Sequence, residues 1–165
     1  MTNWQNRIRE AVCTSLWLGY FPVAPGTVGS LPAVLIFVLI DLWASPQFQT
    51  ALIGLAFIVS CIVSILLGKW AEGHWNKKDP RCFVLDEYAG FFVTVLLFRV
   101  PSLVLTAVWT FVATRLFDII KPWPASKMES LPHGWGILTD DLVASLYAAA
   151  FLHVLAWCFP ILFGQ

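Results

Sequence analysis

Charge is scarce in this chain, and the gaps between charges dictate what it can fold into. No Asp, Glu, Lys or Arg occurs over 11–40 or over 42–68. A helix of about 20 apolar residues is long enough to cross a bilayer. Over all 165 residues, 12% are charged and 59% hydrophobic, against roughly 25% and 45–50% in soluble domains. A soluble sphere of this size could not hide so much apolar surface. The chain reads as one integral membrane domain, 1–165, and as an all-α helical bundle. Ten basic residues balance ten acidic ones, which leaves no electrostatic footprint for nucleic acid and excludes disorder driven by net charge.

Turn residues divide the apolar sequence into about five membrane segments, at 31–43, 51–67, 84–98, 102–120 and 142–163, preceded by a polar, interfacial N-terminal segment. The first and third are short for a span. Residues 1–10 are polar and no small-residue cleavage site follows a short apolar core, so no removable signal peptide is expected. Lys and Arg cluster before segment one (Arg7, Arg9), between two and three (Lys69, Lys77, Lys78, Arg81) and between four and five (Lys121, Lys127). These three regions share one side, and the excess of positive charge makes it the cytoplasm. Residues 45–50, the turn at Arg99-Val100-Pro101 and the C-terminal 163–165 fall on the other, where Arg99 is out of place. Most of the nine Trp lie near segment ends, as interfacial belts require. Cys13, Cys61, Cys82 and Cys158 lie scattered without metal-ligand spacing and read as small buried hydrophobes.

Five acids lie at segment ends: Asp86 and Glu87 opening the third, Asp118 late in the fourth, Asp140 and Asp141 beginning the fifth. One acid at a helix start caps backbone N–H groups; a doublet, twice, asks for more. Adjacent helical residues point about 100° apart, so one acid of a pair can cap while the other faces the bundle. Asp118 sits where the helix dipole disfavours a negative charge, and an ionisable group there is a functional candidate. Carboxylates held together call for a cation, and oxygen-only ligation favours Mg2+ over Zn2+. His74, His133 and His153 are isolated and read as interface or core residues, with His133 alone retained as a weak site candidate. Arg115 and Asp118 share a helix face at i,i+3, so Arg115 either pairs with Asp118 or grips a phosphate, with Lys121 as a second positive charge.

The stretch Pro25-Gly26-Thr27-Val28-Gly29-Ser30 reads as a loop leading into segment one, with Ser30 as a cap and Pro32 in the first turn. Gly26 and Gly29 would let the backbone approach an anion, and Thr27 and Ser30 offer hydroxyls beside a helix N-terminus. Four stretches then stand in order: 25–30, Asp86-Glu87, 115–124 (Arg-x-x-Asp-x-x-Lys-Pro-Trp-Pro) and 136–141, ending in Asp140-Asp141. In this the chain resembles the phosphatidylglycerophosphatase A family, from about residue 15 to 150. The resemblance implies a Mg2+-dependent, multi-pass phosphatase that converts phosphatidylglycerophosphate to phosphatidylglycerol on the cytoplasmic side of a bacterial inner membrane.

On this reading Asp86, Glu87, Asp118, Asp140 and Asp141 hold one or two Mg2+ ions. Glu87, Asp118 and Asp141 are the catalytic candidates, and Thr27, Gly29, Ser30, Arg115 and Lys121 hold the phosphate. No Cys-x5-Arg or Asp-x-Asp-x-Thr signature points to a covalent phosphoenzyme. The partners expected are the lipid substrate and the membrane; no oligomeric state follows from the sequence. The alternative from another class is an ion-coupled transporter using the same acids as a cation site.

Overall fold

The computed structural model describes residues 3–128 and 130–164. Seven α-helices and two 3-10 turns account for its regular structure: α1 (Asn3–Cys13), α2 (Pro25–Trp43), α3 (Pro46–Trp75), α4 (Leu85–Leu97), α5 (Leu103–Ile120), α6 (Ala125–Met128) and α7 (Gly134–Cys158), with 3-10 turns at Leu18–Tyr20 and Pro160–Phe163. Four of them, α2, α3, α5 and α7, are long and apolar enough to cross a membrane. A helix stands at each expected segment, but several ends are shifted: α3 runs beyond 51–67 at both ends, and α2 and α7 differ as follows.

Segment one starts at Pro25, not at 31. Proline is tolerated in a first helical turn, where its missing N–H would have had no partner, so 25–30 is helix and the expected loop is corrected. Pro32 lies inside the helix, not in its first turn. Segment five starts at Gly134 and ends at Cys158, so Asp140 and Asp141 lie in its second turn and cap nothing.

The short segment is the axis of the bundle. Helix α4 has 13 residues, about 20 Å, and packs against α2, α3, α5 and α7. Nine of its residues are buried, among them Phe91, Phe92 and Val95. The outer helices turn their large residues outward instead: Leu55, Ile58, Ile62 and Leu66 of α3, Val104, Val108 and Val112 of α5 are all exposed. An outward apolar belt is what a lipid solvent asks for. Trp43 and Trp157 are exposed at one end of the bundle, Trp123 and Trp135 at the other.

Since lipid is as apolar as a leucine side chain, helices associate here through close backbone approach and hydrogen bonds. The inner face of α3 carries Ser60, Ser64, Gly68 and Ala71, and a Cβ on Gly68 would run into the backbone of Gly134 in α7. Gly90 of α4 sits against Ser145 of α7, where an added Cβ would come within 2.5 Å of its hydroxyl. Thr114 and Thr110 donate to the carbonyls one turn back at 2.6 Å, and Thr114 reaches Thr94 at 3.2 Å. At the far end Arg99 finds its counter-charge: it pairs with Asp41 at 2.9 Å, donates to Gln49 and lies over the ring of Phe37.

The isolated histidines behave as structural groups. His74 stacks on Trp70 and His153 donates to the Leu97 carbonyl. All four cysteines are free; Cys13 is buried, but Cys158 is exposed, contrary to its reading as a buried hydrophobe.

Candidate active site

The site is built where α4 begins, α5 ends and α7 enters the bundle. Arg115 lies one turn before Asp118 on α5 and holds it at 3.0 Å. The same guanidinium nitrogen holds Glu87, from the first turn of α4, at 2.9 Å. Both readings of Arg115 therefore bear on one group: it is ion-paired, yet its Nε is buried without a hydrogen-bond partner. Lys121 follows α5 in the left-handed region, φ 44°, which turns its side chain back onto Asp140 at 2.5 Å and towards Asp79 at 3.6 Å. Burial alone would lower the pKa of Lys121. The hydrogen bond that Lys121 donates to Asp140 and the attraction of Asp140, Asp141 and Asp79 outweigh it and hold Lys121 above the ordinary lysine value, charged at any physiological pH.

Glu87, Arg115, Asp118 and Lys121 line one cavity of about 550 Å3, together with Asp86, Asp141, Thr27, Gly26 and, from the connection 76–84, Asp79 and Arg81. That is the size of a small-molecule site. Asp86, Glu87, Asp140 and Asp141 are each less than 9% exposed, and Asp86, Asp118 and Asp141 stand close enough to repel one another. One oxygen each of Asp86, Glu87 and Asp140 is buried with no hydrogen-bond partner. Buried carboxylate oxygens of this kind are high in energy until something positive reaches them.

Gly26 explains why α2 must begin as it does. A Cβ there would overlap Glu87 Oε1 and come within 2.8 Å of the Arg115 guanidinium, so the first turn of α2 closes over the ion pair only without a side chain.

The structure brings together Thr27, Asp86, Glu87, Arg115, Asp118, Lys121 and Asp141. It does not bring in Gly29 or Ser30. Gly29 backs onto Val84 and Gly19, and Ser30 is buried beside Glu87 with its hydroxyl donated to the Gly26 carbonyl at 2.8 Å; neither lines the cavity. Asp140 touches the site through Lys121. His133 stands outside it, donating to Glu72 at 2.8 Å. Asp79 and Arg81 are the lining residues that the sequence did not single out as site residues; Gly26, expected to let the backbone approach a ligand, does line the cavity. Among charges on a polar connection nothing marks two as special, and the positive φ of Asp79, 50°, that folds the connection over the cavity is not visible in residue types.

Carboxylates able to hold a hard cation, beside a guanidinium and an ammonium able to grip phosphate, at one end of a lipid-facing bundle: these define a membrane-embedded hydrolase of phosphorylated lipids. The family model for phosphatidylglycerophosphatase A matches residues 11–156. Among curated relatives, a Haemophilus influenzae phosphatidylglycerophosphatase A is 32% identical over 135 residues, covering 79% of this chain and 77% of its own. The Escherichia coli phosphatidylglycerophosphatase A is 28% identical over 150 residues, covering 87% and 80%. A Bacteroides thetaiotaomicron protein named "Putative phosphatidylinositol-3-phosphatase" is 31% identical over 156 residues, covering 87% and 91%. No solved structure matches. The chain belongs to the phosphatidylglycerophosphatase A family and is a lipid phosphatase of that type.

Proposed function

We propose that the chain hydrolyses the terminal monoester of phosphatidylglycerophosphate, giving phosphatidylglycerol and inorganic phosphate, with Mg2+ and at the cytoplasmic face of a bacterial inner membrane. The observation that carries this reading is the meeting of Asp86, Glu87, Asp118 and Asp141 around Arg115 in one cavity. The cytoplasmic assignment is supported by the basic residues around the same end, Lys69, Lys77, Lys78, Arg81, Lys121 and Lys127.

Mg2+ is tested by the donors themselves. Among the described residues no three acids stand as a ready-made coordination sphere. The chemistry of the set nevertheless fits a hard cation: oxygen donors only, with partnerless buried oxygens on Asp86, Glu87 and Asp140. Asp86 and Glu87 would hold the ion, with Asp118 and Asp140 as the further oxygen donors. When bound, the ion neutralises charge developing on the phosphate oxygens and lowers the pKa of water.

The remaining work belongs to the chain. The unpartnered Nε of Arg115 donates to a phosphate oxygen, and Lys121 and the Thr27 hydroxyl limit its orientation. Glu87 and Asp118 hold Arg115 in place. Asp141 lines the cavity without an ion pair among the described residues, so it is the carboxylate placed to accept the proton of the attacking water. As the water oxygen bonds to phosphorus, the bond to the glycerol oxygen breaks, and that oxygen leaves as the alcohol by taking up the proton that Asp141 accepted. The burial of the acids keeps bulk water from competing for these contacts.

Purified protein in detergent should release inorganic phosphate from phosphatidylglycerophosphate, lose this with EDTA and regain it with Mg2+. Asp118→Asn should lower kcat by about 10²-fold or more with an unchanged gel-filtration profile. Unimpaired turnover in EDTA would remove Mg2+ from the reading, and unimpaired turnover by Asp118→Asn would remove Asp118. The name of the Bacteroides relative gives a second reading, phosphatidylinositol 3-phosphate as substrate. A higher kcat/KM for that lipid in the same assay would favour it.

A further inference from the structure

We infer that Arg81 is the residue that selects the headgroup, by binding the phosphodiester that links it to the lipid. The inference rests on the proposed reaction and names what holds the half of the substrate that does not react.

The argument begins with which cations are already committed. Arg115 faces two carboxylates at 2.9 and 3.0 Å, and Lys121 faces two at 2.5 and 3.6 Å. Arg81 lines the same cavity, is exposed, and has no ion pair or hydrogen bond among the described residues. It is the lining cation left for a ligand. An unpaired guanidinium beside so many acids is also informative: its chain neighbours Pro80 and Cys82 stand on the connection 76–84 that Asp79 ties to Lys121, so Arg81 is held at the mouth and does not collapse onto the carboxylates.

The second step is size and charge. A cavity of about 550 Å3 is several times larger than one phosphate group needs, so it holds a headgroup with both its phosphates. The monoester must lie among the acids with the metal and Arg115, since that is where charge has to be stabilised. The diester carries one negative charge, stays intact through the reaction and needs one cation away from the reacting centre. A guanidinium suits it, because its fork matches two phosphate oxygens at once. A lipid whose only phosphate is the monoester would leave Arg81 empty, so Arg81 discriminates against it.

Products separate the two phosphates cleanly. Phosphatidylglycerol carries the diester alone and inorganic phosphate is the monoester's product, so each inhibits through one half of the site. Arg81→Gln should raise KM for phosphatidylglycerophosphate about tenfold and weaken inhibition by phosphatidylglycerol about tenfold, the usual worth of one exposed charge-assisted contact. Its kcat and its inhibition by inorganic phosphate should stay within about twofold of wild type, and Arg81→Lys should restore part of the loss. A loss confined to inorganic phosphate inhibition, or to kcat, would overturn the inference by placing Arg81 on the monoester or in the chemistry. Unchanged inhibition by phosphatidylglycerol in an active Arg81→Gln protein would overturn it alone. Wild-type protein without turnover on this lipid would overturn the proposed function first, and the inference with it.

Discussion

Gly26 shows how much can depend on a missing side chain. The first turn of α2 closes over Glu87 and Arg115 only because nothing projects from position 26. Gly26→Ala therefore displaces the ion pair while leaving the helix otherwise intact, and alanine even favours helix. The expected outcome is a fall of about 10²-fold in kcat, the usual penalty for misplacing a catalytic group by an ångström, with the melting temperature in detergent little changed. A phosphate-release assay beside a thermal melt checks both halves. The thiols give an independent residue-level check. Burial pushes the Cys82 thiol up to about 11 and the Cys13 thiol up to about 12. A raised thiol pKa means a thiolate fraction on the order of one in a thousand at pH 8 for Cys82. Iodoacetamide at pH 8 should leave Cys82 largely unmodified in the folded protein, and its labelling rate should climb with pH towards 11; mass spectrometry of the digests reads this directly.

At the level of helices, some of the fold was legible and some was not, for identifiable reasons. The ends of α5 follow from Pro101, Ser102 and Lys121, and Ser102 does accept a hydrogen bond from the Leu105 N–H at 3.3 Å. The starts of α2 and α7 did not follow, because both are written in residues that normally end helices. Gly26 and Gly29 serve close packing on Glu87 and Val84, and Gly134 lets α7 press its backbone onto Ser64 and Ile65 of α3. Tertiary contact outweighed local propensity in each case. The acids at helix ends were legible as a set because charge is so scarce around them. Which acid meets which cation was not, since that depends on the rotation of each helix about its axis. The α3–α7 crossing makes a prediction at this scale. Gly68→Leu places a branched side chain against the Gly134 backbone and should destabilise the protein by about 1–3 kcal/mol, read as a lower melting temperature in detergent, with activity falling because α7 carries Asp140 and Asp141.

For the molecule as a whole, polarity along the membrane normal is the organising property. One end gathers the acids, Arg115, Lys121 and a fringe of lysines; the other closes with Asp41, Arg99 and Gln49. Lys77 and Gln47, both exposed, mark the two ends. Cysteines introduced one at a time at these positions, in a background with all four native cysteines replaced by serine, should react with a membrane-impermeant maleimide from opposite sides of oriented vesicles, Lys77→Cys from the cytoplasmic side. Labelling of Lys77→Cys from outside intact cells would invert the orientation.

The lengths of α3 and α4 have a mechanical consequence. A 30-residue helix spans about 45 Å, well beyond a hydrocarbon core of about 30 Å, whereas the 13-residue helix bearing Asp86 and Glu87 is shorter than each of the four helices, α2, α3, α5 and α7, that it packs against. When leaflets thin or thicken, the outer rods meet the lipid and adjust by leaning; the inner one, with nine of its residues buried, feels the change mainly through its neighbours. The reaction chamber is thereby suspended from its scaffold like a compass card in gimbals, kept level while the hull around it rolls.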